Sequence, residues 1–393
     1  MSPLDRIRVI DLSRFLSGPF ATQLLADYGA DVISVESPRG RELQPAGGRD
    51  SYFFLSANRG KRSLALDLKR DEGRAVFSHL LARADVLVEN YRPGVLAALG
   101  FEPAELLRQH PKLIVCSISG FGADGPYASR PGFDPIAQAM SGLMSLTGTD
   151  ESGPTRVGIA ISDLLAGIFA AHGIQLALLA RERSGRGQLV DTSLLEATIG
   201  VLSWGAGMYF ESGQSPGPAG HQHPLTAPAG RFRARDGFVI IAAANDAIFD
   251  RLALALGHAE WAADPRFKDV GARMRHREAL FAVLEAVLAT ADVAHWVDVL
   301  NAAGVPAGPV LGLAEVFADP QVLAREMLVK LPHPQRETFL TTGLPVKLSE
   351  TPGAIRRAPP LHGEHTAELL RGAGYADAEI AELAKQGVIG VRA

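Results

Sequence analysis

Asp163 is the side chain of this sequence best placed for covalent chemistry. It stands in Ile161-Ser162-Asp163, at the head of an apolar stretch from Leu164 to Ala180. A carboxylate at a helix start meets unpaired N–H groups and the positive end of the helix dipole, which favour its anion. An anionic carboxylate can attack an acyl carbon and carry the acyl group. An aspartate there is also an ordinary helix cap, so position alone leaves both readings open.

Cations that suit a phosphorylated ligand fall in loops or at strand ends: Arg39 and Arg41, Lys61 and Arg62 with Lys69, and Arg92 within Glu89-Asn90-Tyr91-Arg92-Pro93-Gly94. Ligands of open α/β sheets bind beyond the carboxyl ends of the strands, which is where Asn90 to Arg92 belong. Each of these cations also reads as solvated surface charge. The turn Ser13 to Pro19 presents N–H groups at a helix start, and Glu36 closes the second strand. With one glycine and no G-x-G-x-x-G, that turn argues against a dinucleotide. His221 and His223 lack an acidic or cysteine neighbour and read as loop histidines. His362, Glu364 and His365 read as a helix start, and no metal site is expected. No G-x-S-x-G elbow and no Walker loop occurs. Cys116, the one cysteine, lies in an apolar strand-like run and reads as a core residue.

Alternating elements must position these groups. Arg8 to Leu12 reads as a buried strand, followed by a helix with Pro19 in its first turn that runs to about Tyr28. Strands are expected at 31–36, 62–68, 85–89 and 112–117, with helical spacing over 72–84. This rhythm predicts a parallel sheet with helices on both faces. The turn-rich stretch from Gly120 to Pro135 precedes a helix and has the length of a functional loop. After Tyr209 the character changes: a loop-rich segment at 211–220, a hairpin over 230–241 with an Asp-Gly turn, then helical patterns from 246 to 303. The tail alternates short strands and ends in helical patterns at 364–371 and 376–385.

The chain has 393 residues, 47% of them hydrophobic, enough for two domains with their own cores. Its 39 basic and 43 acidic residues give a net charge of -4, which argues against general nucleic-acid binding. The N-terminus carries no apolar signal segment. The stretch 164–180 contains His172 and Gln175 and is shorter than a typical membrane span. A soluble, cytoplasmic protein without nucleic-acid or membrane partners is the expectation.

Taken in order, these segments resemble the class III CoA-transferases. The resemblance rests on Val9-Ile10-Asp11-Leu12 with Ser17-Gly18-Pro19, Gly29-Ala30-Asp31-Val32-Ile33 with Val35-Glu36, and Asn58 with Lys61-Arg62-Ser63. It continues through Val88 to Gly94, Gly122 with Gly125-Pro126, Asp163, Gly185 to Gln188 with Val190-Asp191, and Gly363 to Thr366. The likeness covers nearly the whole chain and is closest to transferases of succinyl-CoA and a dicarboxylate. It implies a Rossmann-like large domain over 1–210, completed by 335–393. A linker or mobile loop would fill 211–225, a smaller α+β domain 226–325, and a return linker 326–334. Two ring-shaped subunits would interlock as a homodimer.

The resemblance also implies roles. Asp163 would form a mixed anhydride and then an aspartyl-CoA thioester, with CoA thioesters as substrates, a free carboxylic acid as acceptor and no tightly bound cofactor. Phe15, Leu16 and Ser17 would line the reacting end of CoA. Leu66 and Lys69 would meet the adenine and its phosphates, and Asn90, Tyr91 and Arg92 the pantetheine and diphosphate. Leu99 with Gly132, Phe133 and Asp134 would close the site. Some members carry arginines where this chain has Ser37 and Ala98, and Arg39 stands in for the first. Leu16 replaces a glutamine of the oxalate enzymes, and Pro218 to Pro224 replaces their glycine run, which argues against oxalate. α-Methylacyl-CoA racemases share the fold but need a proton-shuttling histidine where this chain has Phe133. A CoA-binding protein without catalysis is the reading from another class.

Overall fold

A computed structural model describes residues 2–40 and 51–392. Internal contacts divide the chain into two compact units. The first comprises Met1–Leu143, Val157–Gly207 and Gln321–Ala393. Its frame is a sheet of β1 (Arg8–Asp11), β2 (Asp31–Glu36), β3 (Arg62–Leu66), β4 (Val86–Glu89), β5 (Ile114–Ser119) and β6 (Leu189–Ser193). Edge to edge the order is Ile389–Gly390, β3, β2, β1, β4, β5, β6. All neighbours pair in parallel except the short Ile389–Gly390 strand, which is antiparallel to β3. Chain direction across the sheet reverses between β1 and β4, and a crevice at their carboxyl ends follows from that topology.

The strands are nearly continuous Val, Ile and Leu because both faces are covered. Ile10, Leu12, Ile33, Leu64 and Leu87 pack under the helix Asp71–Leu81 and the C-terminal helix Thr366–Ala373. On the other face Val9, Val32, Val86, Val88 and Cys116 meet α1 (Ser17–Asp27) and α3 (Ile161–Ser184). Between these two in sequence lies α2 (Asp134–Met140), which also touches α3. Cys116 is fully buried, and burial pushes its thiol far above the usual range.

Helix α3 is longer than the apolar stretch in the sequence suggests. Its 24 residues are, by length and composition, enough to cross a membrane. Its small residues Ala166, Ala170, Ala171 and Ala177 pack against α1 and the sheet. Ile168, Phe169, Leu176 and Leu179 are exposed.

The second unit comprises Met144–Arg156 and Met208–Pro320. It holds an antiparallel sheet in the order Ala307–Pro309, Phe238–Ala242, Ala229–Arg233. Helices Asp246–Ala255, Arg277–Leu288 and Val293–Ala302 cover it around Phe232, Phe249, Leu284 and Trp296. The expected hairpin is present. The division differs from the expected domain limits, because residues 144–156 and 211–225 pack with this unit. The stretch 221–223 is tied down: His223 N–H donates to Ala229 O at 2.7 Å and Arg231 N–H to His221 O at 3.0 Å. A Cβ on Gly230, whose φ is 155°, would meet His221 O at 2.5 Å. Nor is 326–334 simply a linker, since Leu328–His333 pairs with Arg336–Thr342 as a hairpin.

Candidate active site

The turn after β1 is built around Asp11. This buried carboxylate accepts the Ser13 N–H at 2.9 Å, the Ser13 hydroxyl, the Thr22 hydroxyl at 2.7 Å and the Lys61 ammonium at 3.0 Å. Burial works to raise Asp11, but Lys61 and the two hydroxyls outweigh it and hold the carboxyl below its usual range. Lys61 also donates to Pro19 O at 2.8 Å and Asn58 Oδ1 at 3.0 Å, so it braces the turn and does not face a ligand. Arg62 pairs with Asp31 at 2.6 Å and Glu368 at 2.8 Å, which makes it a structural cation too. Arg41 lies outside the described residues.

Asn90, just past β4, clamps the same turn. Its Oδ1 accepts the Arg14 N–H at 2.7 Å and its Nδ2 donates to Arg14 O at 2.7 Å and Ser17 Oγ at 3.2 Å. The clamp holds Phe15 at φ 62°, a left-handed conformation that costs a non-glycine residue about 1 kcal/mol. Phe15 is thereby turned outward, its ring edge-on to Phe133 with centroids 6.2 Å apart. Leu16 points into the core instead and is buried.

Asp163 is the third residue of α3 and lies within reach of this turn, where the Ser17 hydroxyl bonds to it. Gly167, one helical turn on, makes the approach possible: a Cβ there would meet Ser17 O at 2.7 Å. Asp134 secures the head of α3. Its Oδ1 accepts the Ser162 N–H at 2.9 Å and its Oδ2 the Gln138 amide at 2.8 Å, and the residue is buried. The expected ligand contact of Asp134 is thus replaced by a positioning role. The expectation of a fully anionic Asp163 also needs correction. Burial first, then the charge of Asp134, push its carboxyl up to about 7, and the Ser17 hydroxyl only partly opposes this. The helix-end effect is weaker than desolvation here.

Gly132 and Gly120 close the base of the long loop. A Cβ on Gly132 would sit 2.7 Å from the Gly120 Cα, so two glycines let the loop limbs cross. Within it the Arg130 guanidinium stacks 3.7 Å over Tyr127.

A cavity of about 450 Å³ opens beyond the carboxyl ends of β1 to β4. Arg14, Arg39 and Lys69 supply cations, and Leu66, Tyr91 and Leu99 supply apolar walls. The structure thus gathers five of the residues picked from sequence around one cavity. A second group of them, Phe15, Ser17, Phe133 and Asp134, surrounds Asp163, with Gly132 beside it in the chain. Asn90 serves as a clamp between the two groups. Arg92 is exposed and off the cavity wall. Arg14 was missed as a cation, although it stands in the first strand–helix turn. Its guanidinium lies 5.6 Å from the Tyr91 ring centroid. Gln138 and Gly167 also escaped, since a buried amide and a helix-packing glycine leave no local pattern.

The histidines follow the bland reading. His362 bonds Ser37 O at 2.8 Å, Glu364 accepts the Leu361 N–H at 2.7 Å, and His365 Nδ1 accepts the Ser63 N–H at 3.2 Å. Among the described residues no three His, Cys, Asp or Glu side chains cluster as a metal would require.

A doubly wound sheet, a ligand cavity with three cations and a buried carboxylate at a helix head define an α/β group-transfer enzyme. The chain belongs to CoA-transferase family III, which it matches over residues 4–366. It is 43% identical over 363 residues to an acetyl-CoA:oxalate CoA-transferase of Acetobacter aceti, covering 90% of this chain and 92% of that one. It is 39% identical over 379 residues to a succinate–glutarate CoA-transferase of Agrobacterium fabrum, covering 94% and 95%. A crystal structure of a CaiB/BaiF family protein from Brucella suis superposes with a TM-score of 0.85 at 38% identity, covering 95% and 99%. The chain is an enzyme of the CoA-transferase class that uses CoA thioesters.

Proposed function

We propose that this enzyme moves CoA from succinyl-CoA to a second dicarboxylic acid through covalent intermediates on Asp163. The observation that carries the reading is a shared turn. Ser17, bonded to Asp163, and Arg14, on the cavity wall, belong to the same β1–α1 segment. The nucleophile and the CoA cavity are therefore fixed in one frame.

The Asp163 carboxylate attacks the donor thioester carbon, and the CoA thiolate leaves as a mixed anhydride forms. The thiolate then attacks the Asp163 carbonyl, releasing the donor acid and leaving an aspartyl-CoA thioester. The acceptor carboxylate attacks that carbonyl, expels the thiolate and forms a second anhydride. Attack of the thiolate on the acceptor carbonyl gives the new CoA ester and restores Asp163. Each step exchanges one acyl bond for another, so no oxidant or net proton is required. Arg14, Arg39 and Lys69 hold the CoA phosphates, while Leu66, Tyr91 and Leu99 meet the adenine. Phe15 and Phe133 form an apolar wall that keeps water from the anhydride.

The relatives named for succinate with glutarate, and for oxalate, support a dicarboxylate acceptor. The exposed Ile168, Phe169, Leu176 and Leu179 of α3 support a homodimer, which the family likeness suggests is interlaced. A solution mass of one chain would sink that part.

The test of the reaction is purified enzyme with succinyl-CoA and a pool of mono- and dicarboxylic acids, followed by mass spectrometry of the CoA esters. A new ester that depends on Asp163 names the acceptor. An Asp163→Ala protein that still forms it would overturn the covalent route.

A further inference from the structure

We propose that Ser17, aimed by Asn90, is a positioning residue that directs its single O–H at Asp163 and keeps the nucleophile ionised where burial would protonate it. The inference rests on the reading of Asp163 as nucleophile and adds a device that tunes it.

The direction of the bonds follows from donor counting. Asn90 cannot be turned over. Arg14 N–H requires an acceptor, which fixes Oδ1, and Arg14 O requires a donor, which fixes Nδ2. The same Nδ2 lies 3.2 Å from Ser17 Oγ, and it can only donate. Ser17 Oγ therefore accepts from Asn90, and its own proton is left for another partner. That partner is Asp163. Ser17 is 2% exposed, so water does not compete. Gly167 fixes the spacing of the two helices at this level, because any side chain there would strike Ser17 O.

The charges facing Asp163 are few. On α2, Asp134 opposes its ionisation. On α1, Asp27 is paired with Arg59 at 2.8 Å. On β6 and the helix that follows, Asp191 and Glu196 act on one another. At the far end of α3, Arg181 pairs with Asp85 at 2.9 Å. No cation therefore offsets Asp134 at this point among the described residues, and the Ser17 hydroxyl is the group that does.

The experiment is a pH profile of kcat/KM for CoA transfer in the wild type, Ser17→Ala and Ser17→Thr, with carboxyl-carbon NMR of Asp163 in the free enzyme. Asp163→Asn serves to identify the resonance. Ser17→Ala is expected to move the acid limb upward by about half a pH unit. The rate then falls about threefold at pH 6 and is restored above pH 8.5. The NMR midpoint moves by the same amount. Ser17→Thr, which keeps the hydroxyl, restores both. A rate loss equal at every pH, with an unmoved midpoint, would overturn the inference while leaving Asp163 as nucleophile. Full activity in Asp163→Asn would instead overturn the covalent reading, and the NMR midpoint would still decide the role of Ser17.

Discussion

Asp134 accepts the Ser162 N–H at 2.9 Å, so the side chain that anchors the head of α3 also sets a negative charge against Asp163, the next residue. Anchoring and nucleophile tuning are coupled in one carboxylate. Asp134→Asn separates them. The amide oxygen still accepts from Ser162, but the charge is gone and the Gln138 amide loses an acceptor. The expected outcome is an acid limb of the pH profile moved downward, with stability lower by about 1 kcal/mol. A limb that stays in place would show that Asp134 contributes no field at Asp163.

The pH dependence of the wild type follows from the Asp163 carboxyl lying at about 7. The nucleophile is the anion, so kcat/KM is expected to rise about tenfold per unit below pH 7 and level off above it. A profile flat from pH 5 to 8 would mean that Asp163 ionises at an ordinary value in the free enzyme.

The same shift has a stability consequence of opposite sense. Its folded value lies above the ordinary 3.8, so the folded protein holds this proton more tightly than the unfolded chain. That contribution is full below about 3.8 and is lost as pH rises through about 7, a cost on the order of 4 kcal/mol. Asp163→Asn should therefore have a higher Tm than the wild type at pH 8, with the gap closing toward pH 4. A gap that does not depend on pH would contradict the raised carboxyl.

Much of this was legible in the sequence, for identifiable reasons. The strands β1 to β5 announce themselves as Val and Ile runs, because burial on both faces demands them. Asp163 was visible as an acid at the head of an apolar helix. What the sequence hid were long-range partners. Nothing near Lys61 says that Asp11, fifty residues earlier, neutralises it, so it looked like a ligand cation. Asn90 looked like a ligand contact for the same reason, since its clamp on Arg14 and Ser17 spans more than seventy residues. The ionisation of Asp163 was misjudged because desolvation depends on the packing of α1 and α2, which helix-end reasoning does not see. Residues 211–225 looked like a linker because Pro and Gly disguise a loop held to the strand Ala229–Arg233.

The cavity cations give a prediction about the ligand itself. Arg39 and Lys69 are exposed and line the outer part of the site, while Arg14 stands in the turn that reaches Asp163. If they bind CoA phosphates, Lys69→Ala and Arg39→Ala should each raise KM for the acyl-CoA about 3- to 30-fold and leave kcat nearly unchanged, since this binding is equal in ground and transition states. The penalty should shrink when the substrate is an acyl-pantetheine, which lacks the nucleotide phosphates. Arg14→Ala should behave differently, lowering kcat as well, because its backbone is part of the clamp that sets Ser17. A KM penalty that persists in full with the pantetheine thioester would exclude the phosphates as the partners of Lys69 and Arg39.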